Sequence, residues 1–379
     1  MIYFDNCSTT KPCQQAVKAA EAALKDTWGN PSSLHKMGVN SEMLVKDARS
    51  IIAKALNADE NEITFTSGAT ESNNTAIFSA ALTKGKRRKK IITTAFEHPS
   101  VAEPIKRLEE QGFEVVRIFP GKDGVINPSD ILTQIDRNTL LVSLMLVNNE
   151  TGVITDVSKI FKAIKMRDKE IYTHTDAVQG FMKININSKT MSADMISVSG
   201  HKAYAPKGIG ALYIKKGVNL LPFIIGGGQE SGRRSGSEST VLINAFGAAV
   251  NAHVNDIISR FDKAELLREY LKESVKNVEG VYLHEFENSL PYINSLTVEH
   301  YKSETLLHFL EAKEIYVSSG SACSKGKKSE VLKAFGYNDS QLESTLRVSF
   351  CADNTTEQID EFVNAVKEAK KRLIAIDNG

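Results

Sequence analysis

The chain is short of the features that mark several specialised classes of protein. It has 4 cysteines and 1 tryptophan in 379 residues, too few cysteines for a disulfide framework in a chain of this length. Its net charge is only +1, which does not favour direct binding of nucleic acid. The densest block of charge, the basic run 84–90, is therefore expected to be a solvated loop before a strand. No apolar run approaches the roughly 20 residues of a membrane span, and the N-terminus lacks the pattern of a signal peptide. We therefore expect a cytoplasmic protein with no membrane partner.

The few cysteines still carry information through their surroundings. None forms a C-x-x-C pair, so no zinc or redox dithiol site is expected, and no other metal site is predicted. Cys323 lies in a loop of small residues, and Lys325, Lys327 and Lys328 beside it favour a thiolate. The polar surroundings of Cys7 leave its role open. Cys323 is thus the candidate reactive thiol.

The pattern of apolar residues changes along the chain. Over residues 40–215, β-branched apolar runs alternate with helical or loop stretches, which is typical of a mostly parallel sheet with helices on both faces. After about residue 250 a long charged helix is predicted over Phe246–Val278. Short strands are predicted after it, at Val281–His284, Ile293–Val298, Ile315–Ser318 and Ser344–Phe350. The last helix opens at Thr355 with Gln358 three residues later, which is a capping box.

This change of pattern predicts two domains, as the length of the chain also does. Hydrophobic residues make up 41% of the chain and charged residues 25%, the composition of an ordinary globular protein. We predict an α/β fold with a large domain at residues 14–255. A smaller α+β domain would combine residues 1–13 with residues 256–379 and carry the Cys323 loop.

Polar motifs follow several of the predicted strands, where ligands of open α/β sheets bind. In Thr66–Ser72 a strand end, a glycine turn and a helix start would aim backbone N–H groups and the Thr70 hydroxyl at an anion. A plain helix cap explains this motif equally well. Asp176 also follows a strand, and its carboxylate could pair with a cationic ring nitrogen or simply cap a helix.

Two further motifs suggest a flat, aldehyde-bearing cofactor. Lys202, delivered by a strand into the segment Ser199-Gly200-His201-Lys202, could form an imine with an aldehyde, although an isolated lysine is usually a surface residue. His98 lies just past another strand and could stack on a ring and move protons, or be structural. Asn149, in Val147–Gly152, suits contacts with a ring or a substrate. The set is more specific than any of its members.

With these motifs the sequence resembles the cysteine desulfurases, and within them the branch similar to NifS and IscS. The resemblance covers nearly the whole chain, and it is strongest in four segments: Thr66–Ser72, Val147–Gly152, Ser199–Lys202 and Ser318–Cys323. It implies the type I fold of transferases that depend on pyridoxal 5'-phosphate (PLP). It also implies a homodimer.

The resemblance implies a role for each candidate residue that faces the cofactor. Lys202 would carry PLP as an imine, Asp176 would pair with the pyridine nitrogen, and His98 would stack on the ring and transfer protons. Gln179 would contact the ring hydroxyl. The phosphate would be held by the remaining residues, namely the Ala69 backbone, Thr70, Ser199, His201 and, from the partner subunit, Ser237.

The resemblance also implies the substrate and the reaction. Asn149, beside the cofactor, and Arg347 would bind the carboxylate of L-cysteine, for which a guanidinium fork is well suited. The products would be L-alanine and a persulfide on Cys323, passed to an acceptor protein that is an iron–sulfur scaffold or a tRNA-thiolation enzyme. The alternative is a selenocysteine lyase or another aminotransferase-like enzyme of class V, which would not need the Cys323 thiol.

Overall fold

The structure is a computed structural model that describes residues 1–121, 123–319 and 328–375. Cys323 lies outside the described residues. The strands are β1 (Ile2–Tyr3), β2 (Ile63–Thr66), β3 (Lys90–Thr94), β4 (Glu114–Ile118), β5 (Thr139–Met145), β6 (Tyr172–Asp176), β7 (Met195–Ser199), β8 (Gly210–Ile214), β9 (Val281–His284), β10 (Ile293–Val298), β11 (Ile315–Tyr316), β12 (Ser318–Ser319) and β13 (Thr345–Ser349).

The helices surround and connect these strands. They are α1 (Gln14–Asp26), α2 (Lys36–Ala55), α3 (Ala69–Lys84), α4 (Pro99–Glu110), α5 (Pro128–Leu132), α6 (Val157–Arg167), α7 (Ser188–Met191), α8 (Thr240–His253), α9 (Ile257–Val275), α10 (Ser303–Glu311), α11 (Glu330–Ala334), α12 (Asp339–Ser344) and α13 (Thr356–Arg372). Short 3₁₀ turns lie at Glu60–Glu62, Gly200–Lys202, Glu230–Gly232 and Val254–Asp256.

A seven-stranded sheet in the order β2-β8-β7-β6-β5-β3-β4 confirms the predicted fold class. All of its pairs are parallel except those that β8 makes with β2 and β7. Every residue of β5 is buried, which explains its nearly continuous apolar sequence, because both faces of a parallel sheet are covered. The parallel strands end at one edge of the sheet, where polar side chains from separate segments meet.

A second sheet, antiparallel and four-stranded, has the order β12-β13-β10-β9. Its apolar face belongs to a cluster that joins Ile2 and Phe4 to residues from Leu267 onward, including Leu346 and Phe362. The contact of residues 2–4 with the C-terminal third accords with the predicted small domain. The boundaries of the two domains remain a prediction.

Two predicted elements are divided in the structure. The single helix expected over Phe246–Val278 is two helices, α8 and α9, separated by Val254–Asp256, whose asparagine and aspartate favour turns over helix interiors. The strand expected at Ile315–Ser318 is also two, since β11 pairs with β1 and β12 pairs with β13. Each half therefore extends a different sheet.

One helical stretch, Thr240–Val275, is long and apolar enough by composition to cross a membrane. In the structure its first half is α8, whose Phe246 and Ala249 are fully buried in the main hydrophobic cluster. This packing is that of a core helix in a globular protein.

The basic segment 84–90, expected to be a solvated loop, is more ordered than that. Lys90 begins β3, is buried, and lies 3.0 Å from Asp136 and 3.2 Å from Glu114. Arg88 pairs with Asp168 at 2.7 Å. The expectation is wrong for these two residues, because carboxylates distant in sequence neutralise them.

Candidate active site

A cavity of about 460 Å³ lies at the carboxyl ends of the central strands. It brings together the predicted site residues that the structure describes, with one exception. The predicted residues that line the cavity are Ala69, Thr70, His98, Asn149, Asp176, Gln179, Ser199, His201, Lys202 and Arg347. The exception is Ser237, which borders a neighbouring pocket with Arg234 and Gly208.

Asp176 forms the floor of the cavity at the end of β6. Its Oδ2 accepts a hydrogen bond from Asn73 Nδ2 at 2.8 Å, and its Oδ1 accepts one from the Val178 backbone N–H at 3.0 Å. The carboxylate therefore caps the turn after β6 and also faces the cavity. These donors on the protein side fix the orientation of the carboxylate beside the cavity.

A second carboxyl group, that of Glu97, is buried close to Asp176. Its Oε1 accepts hydrogen bonds from Thr94 Oγ1 at 2.7 Å and from the Met145 N–H at 2.8 Å, whereas its Oε2 has no partner in the described part of the chain. Met145 is the register partner of Asp176. Burial, with a smaller contribution from Asp176, raises the pKa of Glu97 to about 8. The carboxyl group is thus neutral at pH 7, which avoids two adjacent buried charges.

Lys202 reaches the cavity from the 3₁₀ turn that follows β7. Its ammonium donates to the backbone oxygens of Cys7 and Ser8, the latter at 2.5 Å. Carbonyl oxygens from the N-terminal segment therefore position the amine inside the cavity. Lys202 therefore lines the cavity.

His98 is both the N-cap of α4 and part of the cavity wall. Its Nδ1 accepts a hydrogen bond from the Ser100 N–H at 3.1 Å, and Ser100 Oγ lies 2.8 Å from the same nitrogen. Because a backbone N–H can only donate, the neutral ring carries its proton on Nε2. Burial, together with the charges of Lys202 and Arg347, lowers the pKa of His98, so the ring is neutral at pH 7.

The opposite end of the cavity is built to receive an anion. Gly68, at φ +150°, is the N-cap residue immediately before α3. No side chain caps this helix, so the first N–H groups of α3 face the cavity beside Thr70. A Cβ at Gly210 would lie 2.8 Å from the Gly68 Cα, so glycine is needed there for the close approach of β8. Burial lowers the pKa of His201 to about 4, so its ring is a neutral donor near Ser199.

Arg347 closes the cavity from β13, in the second sheet. Its Nη1 donates to the Asn149 backbone oxygen at 3.0 Å, and its Nη2 donates to Asp5 Oδ1 at 3.0 Å and to Ser8 Oγ at 2.6 Å. Within the described residues, Arg347 Nε and Asn149 Oδ1 are buried without a partner. Unpaired buried polar atoms are costly, so this donor and acceptor indicate the place of a polar ligand.

Two residues that support the cavity carried no signal in the sequence, which also leaves open the role of a third residue, Cys7. Asn73 holds Asp176, and Asp5 holds Arg347. The thiol of Cys7 lines the cavity and donates to the Asn149 backbone oxygen at 3.1 Å. A periodic or motif-based signal could not have found them, because each acts through a contact that is distant along the chain.

One of the three lysines expected to favour a thiolate at Cys323 has ion pairs with other residues. Lys328, expected to favour a thiolate at Cys323, pairs with Asp339 at 3.1 Å and with Glu343 at 3.2 Å. Its charge is therefore shared with α12. Within the described residues, no group of three or more His, Cys, Asp or Glu side chains is placed to bind a metal ion.

The residues present fit pyridoxal phosphate. The Asp176 carboxylate can pair with a ring nitrogen, and the Lys202 amine can bind an aldehyde. The open N-terminus of α3 can bind a phosphate. The unpartnered atoms of Asn149 and Arg347 are left for the amino-acid substrate. The cavity volume also suits a ligand of this size.

Residues 2–362 match the family described as Aminotransferase class-V. The chain belongs to this family, whose members include PLP-dependent enzymes. It is 39% identical to the NifS/IcsS protein homolog of Lactobacillus delbrueckii subsp. bulgaricus, over 100% of this chain and 99% of that one. It is 38% identical to a cysteine desulfurase of Nostoc sp., over 99% of this chain and 94% of the relative.

Solved structures are similar over the same length. One described as a NifS-like protein superposes with a TM-score of 0.93 at 34% identity, covering 98% of this chain and 100% of the other. Another, described as SspA in complex with cysteine, has a TM-score of 0.83 at 32% identity, covering 94% and 100%. These similarities agree with the fold and with the resemblance that the motifs suggested.

Proposed function

We propose that the chain is a PLP-dependent cysteine desulfurase, which removes sulfur from L-cysteine and leaves L-alanine. The observation that carries this proposal is the convergence of Lys202, Asp176, His98 and Arg347 on one cavity. Relatives named as cysteine desulfurases, similar over their full length, support the same activity.

Asp176 and Lys202 prepare the cavity for this chemistry. Bound PLP supplies an electron sink for the charge that develops at the substrate Cα. Asp176 holds the pyridine nitrogen protonated, which requires the carboxylate that Asn73 and the Val178 N–H orient. Lys202 carries the cofactor, and the carbonyl oxygens of Cys7 and Ser8 hold its amine in place before loading.

Arg347 and Asn149 bind the substrate carboxylate. Arg347 keeps its Nε–H for a ligand, while Asp5 and Ser8 fix the plane of the guanidinium. A preorganised guanidinium loses less freedom when it forms two hydrogen bonds to a carboxylate. The substrate amino group is thereby directed toward Lys202.

His98 moves protons at Nε2. The neutral ring presents an N–H there while Nδ1 accepts from Ser100. The Ser100 N–H, which can only donate, holds the ring in this tautomer, so Nε2 is the nitrogen at which a proton would be exchanged with the substrate. Burial lowers the pKa of His98, which keeps the ring neutral at pH 7.

Cys323 receives the sulfur of the substrate. The Cys323 thiolate takes the substrate sulfur, so an S–S bond forms as the substrate C–S bond breaks. The electron pair of the C–S bond stays on the substrate carbon, which takes a proton to become the methyl group of L-alanine. The persulfide passes to an acceptor protein, with an iron–sulfur scaffold and a tRNA-thiolation enzyme as equal candidates. The chain works in the cytoplasm.

The enzyme acts as a homodimer in which Ser237 reaches the phosphate of the other subunit. Two observations support this role. Ser237 lies in a pocket next to the cavity of the same subunit, and Arg234, which borders the same pocket, pairs with Glu71 at 2.7 Å. The predicted domains, 14–255 and 1–13 with 256–379, would carry the cofactor and the Cys323 loop respectively.

The test is a measurement of L-alanine and sulfide from L-cysteine with PLP and a thiol reductant. Cys323→Ser should still change the cofactor spectrum on addition of cysteine but release no sulfide. Cys351→Ser is the matched control, since Cys351 does not line the described cavity, and it should retain activity. Turnover of selenocysteine alone, or of keto acids, would instead identify a lyase or an aminotransferase.

A further inference from the structure

Lys183 is a buried lysine that has no part in the steps above. It lies in the turn after β6, and its side chain is 3% exposed. No carboxylate in the described ranges lies within 4.0 Å of its ammonium, and its electrostatic neighbours are Cys7, Lys202 and Arg347. Burying an ammonium without a counter-ion is costly. A buried cation here is therefore expected to act on something inside the cavity.

The contact that Lys183 makes leads directly into the cavity. Its Nζ donates to Gln179 Oε1 at 3.0 Å, and Gln179 Nε2 donates to the Cys7 backbone oxygen at 3.1 Å. The same Cys7 oxygen accepts from Lys202. A short chain of hydrogen bonds thus connects the buried Lys183 ammonium to Gln179 and, through the Cys7 oxygen, to Lys202.

This chain of bonds decides which way the Gln179 amide points. The oxygen and nitrogen of an amide have nearly the same shape, so only their partners select the orientation. An ammonium has only donors and must bond to Oε1, and a carbonyl has only lone pairs and must bond to Nε2. Lys183 and Cys7 therefore select the same orientation, with the NH₂ group on the cavity side.

We propose that Lys183 is a positioning residue, whose ammonium orients Gln179 as a donor to the ring oxygen of the cofactor and favours the ionised form of that oxygen. The inference rests on the PLP site of the proposed function. Burial lowers the pKa of Lys183 to about 8, so the ammonium is still mostly charged at pH 7. Without Lys183, the amide could turn its oxygen toward the ring oxygen, where two acceptors would repel.

The experiment is a pH titration of the visible absorption of PLP bound to the enzyme, without cysteine. The proposal predicts that Lys183→Met raises the midpoint of this titration by about one pH unit, because Gln179 loses the partner that holds its NH₂ group toward the ring oxygen, and the ionised form of that oxygen loses a donor. Lys189→Met is the matched control, since Lys189 is exposed in the same segment, and its midpoint should not change. An unchanged midpoint in Lys183→Met overturns the proposal.

A double variant tests whether Lys183 acts through Gln179. Gln179→Ala should raise the midpoint, and adding Lys183→Met to it should produce no further shift. An additional shift of the full size would show a direct charge effect and overturn the positioning role. Thermal unfolding and circular dichroism of each variant report whether the fold is retained, which the midpoint alone does not.

A milder variant keeps the proposal testable if Lys183→Met does not fold. Lys183→Gln loses the charge but keeps a donor, so it should raise the midpoint by less than Lys183→Met and in the same direction. A midpoint equal to that of the unmodified enzyme contradicts the proposal. Because these readings need no cysteine, an enzyme that binds PLP but releases no sulfide would overturn the proposed function and not this inference.

Discussion

The cavity has two sides that are built in different ways. The sheet side comprises Asp176, His98 and Lys202, each at the end of a strand of the seven-stranded sheet or just past it. The Arg347 side comprises Arg347 of β13 with Asp5 and Ser8, which are more than 330 residues away in sequence. The sheet side derives its geometry from strand ends that the parallel topology gathers. The Arg347 side derives it from an ion pair and hydrogen bonds between the ends of the chain.

This difference suggests a division of labour. The sheet side holds the groups that fit the cofactor, and the Arg347 side holds the unpartnered atoms left for a substrate. Substitutions on the sheet side should therefore alter the cofactor spectrum and kcat. Substitutions on the Arg347 side should alter KM and leave the spectrum of the resting enzyme unchanged.

The largest effect is expected for Asp176→Asn on the sheet side. Loss of a buried charge partner costs about 3–5 kcal/mol, which corresponds to a decrease in kcat of about 10²–10⁴-fold. The measurement is kcat for sulfide release, together with the absorption spectrum of bound PLP. Asp168→Asn is the control, because Asp168 pairs with Arg88 away from the cavity. A normal kcat in Asp176→Asn would contradict the assigned pairing with the ring nitrogen.

Arg347→Lys tests the other side. A lysine cannot reproduce the fork that contacts Asp5, Ser8 and a carboxylate together, so KM for cysteine should rise by about 10–100-fold, as for a lost charge-assisted hydrogen bond. The spectrum of the resting enzyme should not change. If the variant fails to retain PLP while its KM is normal, the division between the two sides is wrong.

Asp5→Asn should give a smaller change on the same side. Asp5 Oδ1 accepts from Arg347 at 3.0 Å and from Ser8 Oγ at 2.8 Å, and its side chain is 21% exposed. A partly exposed ion pair is worth up to about 1 kcal/mol, so KM should rise by about 2–5-fold with kcat retained. An increase as large as that of Arg347→Lys would mean that Asp5 does more than orient the guanidinium.

Glu97→Gln should change activity least and stability most clearly with pH. The pKa of Glu97 is about 8 in the folded state and near 4.5 when unfolded, so the folded state binds the proton more tightly. Its contribution to stability is complete below about pH 4.5 and is lost as pH rises through about 8. Relative to the wild type, Glu97→Gln should therefore gain about 1–3 kcal/mol between pH 5 and pH 8.

Denaturant unfolding of both proteins at a series of pH values measures this gain. The glutamine amide keeps an acceptor for Thr94 and the Met145 N–H, so the fold should be retained. Parallel stability curves for the two proteins would show that Glu97 is already ionised at pH 7.

The parts of the molecule also differ in how far the sequence predicts them. The strands of the large sheet and the motifs at their ends were predictable, because apolar runs mark buried strands and polar residues follow them. The interruption at Val254–Asp256 and the division of the strand at 315–318 were not. The strand is divided because its two halves pair with different strands, whereas the helix is interrupted where Asn255 and Asp256 favour a turn. The prediction of a solvated loop is wrong for Lys90, because its partners Asp136 and Glu114 leave no trace in the local sequence.

The sequence by itself determined the family resemblance, the α/β fold class and the residues at the strand ends, among them Asp176, His98 and Lys202. These depend on local periodicity and on motifs of a few residues. Only the tertiary structure decided that Asp5 holds Arg347 and that Lys183 lies buried behind Gln179. Contacts of this kind form where segments distant along the chain pack together. A charged residue gives no local signal of whether folding will leave it in water or bury it beside a ligand.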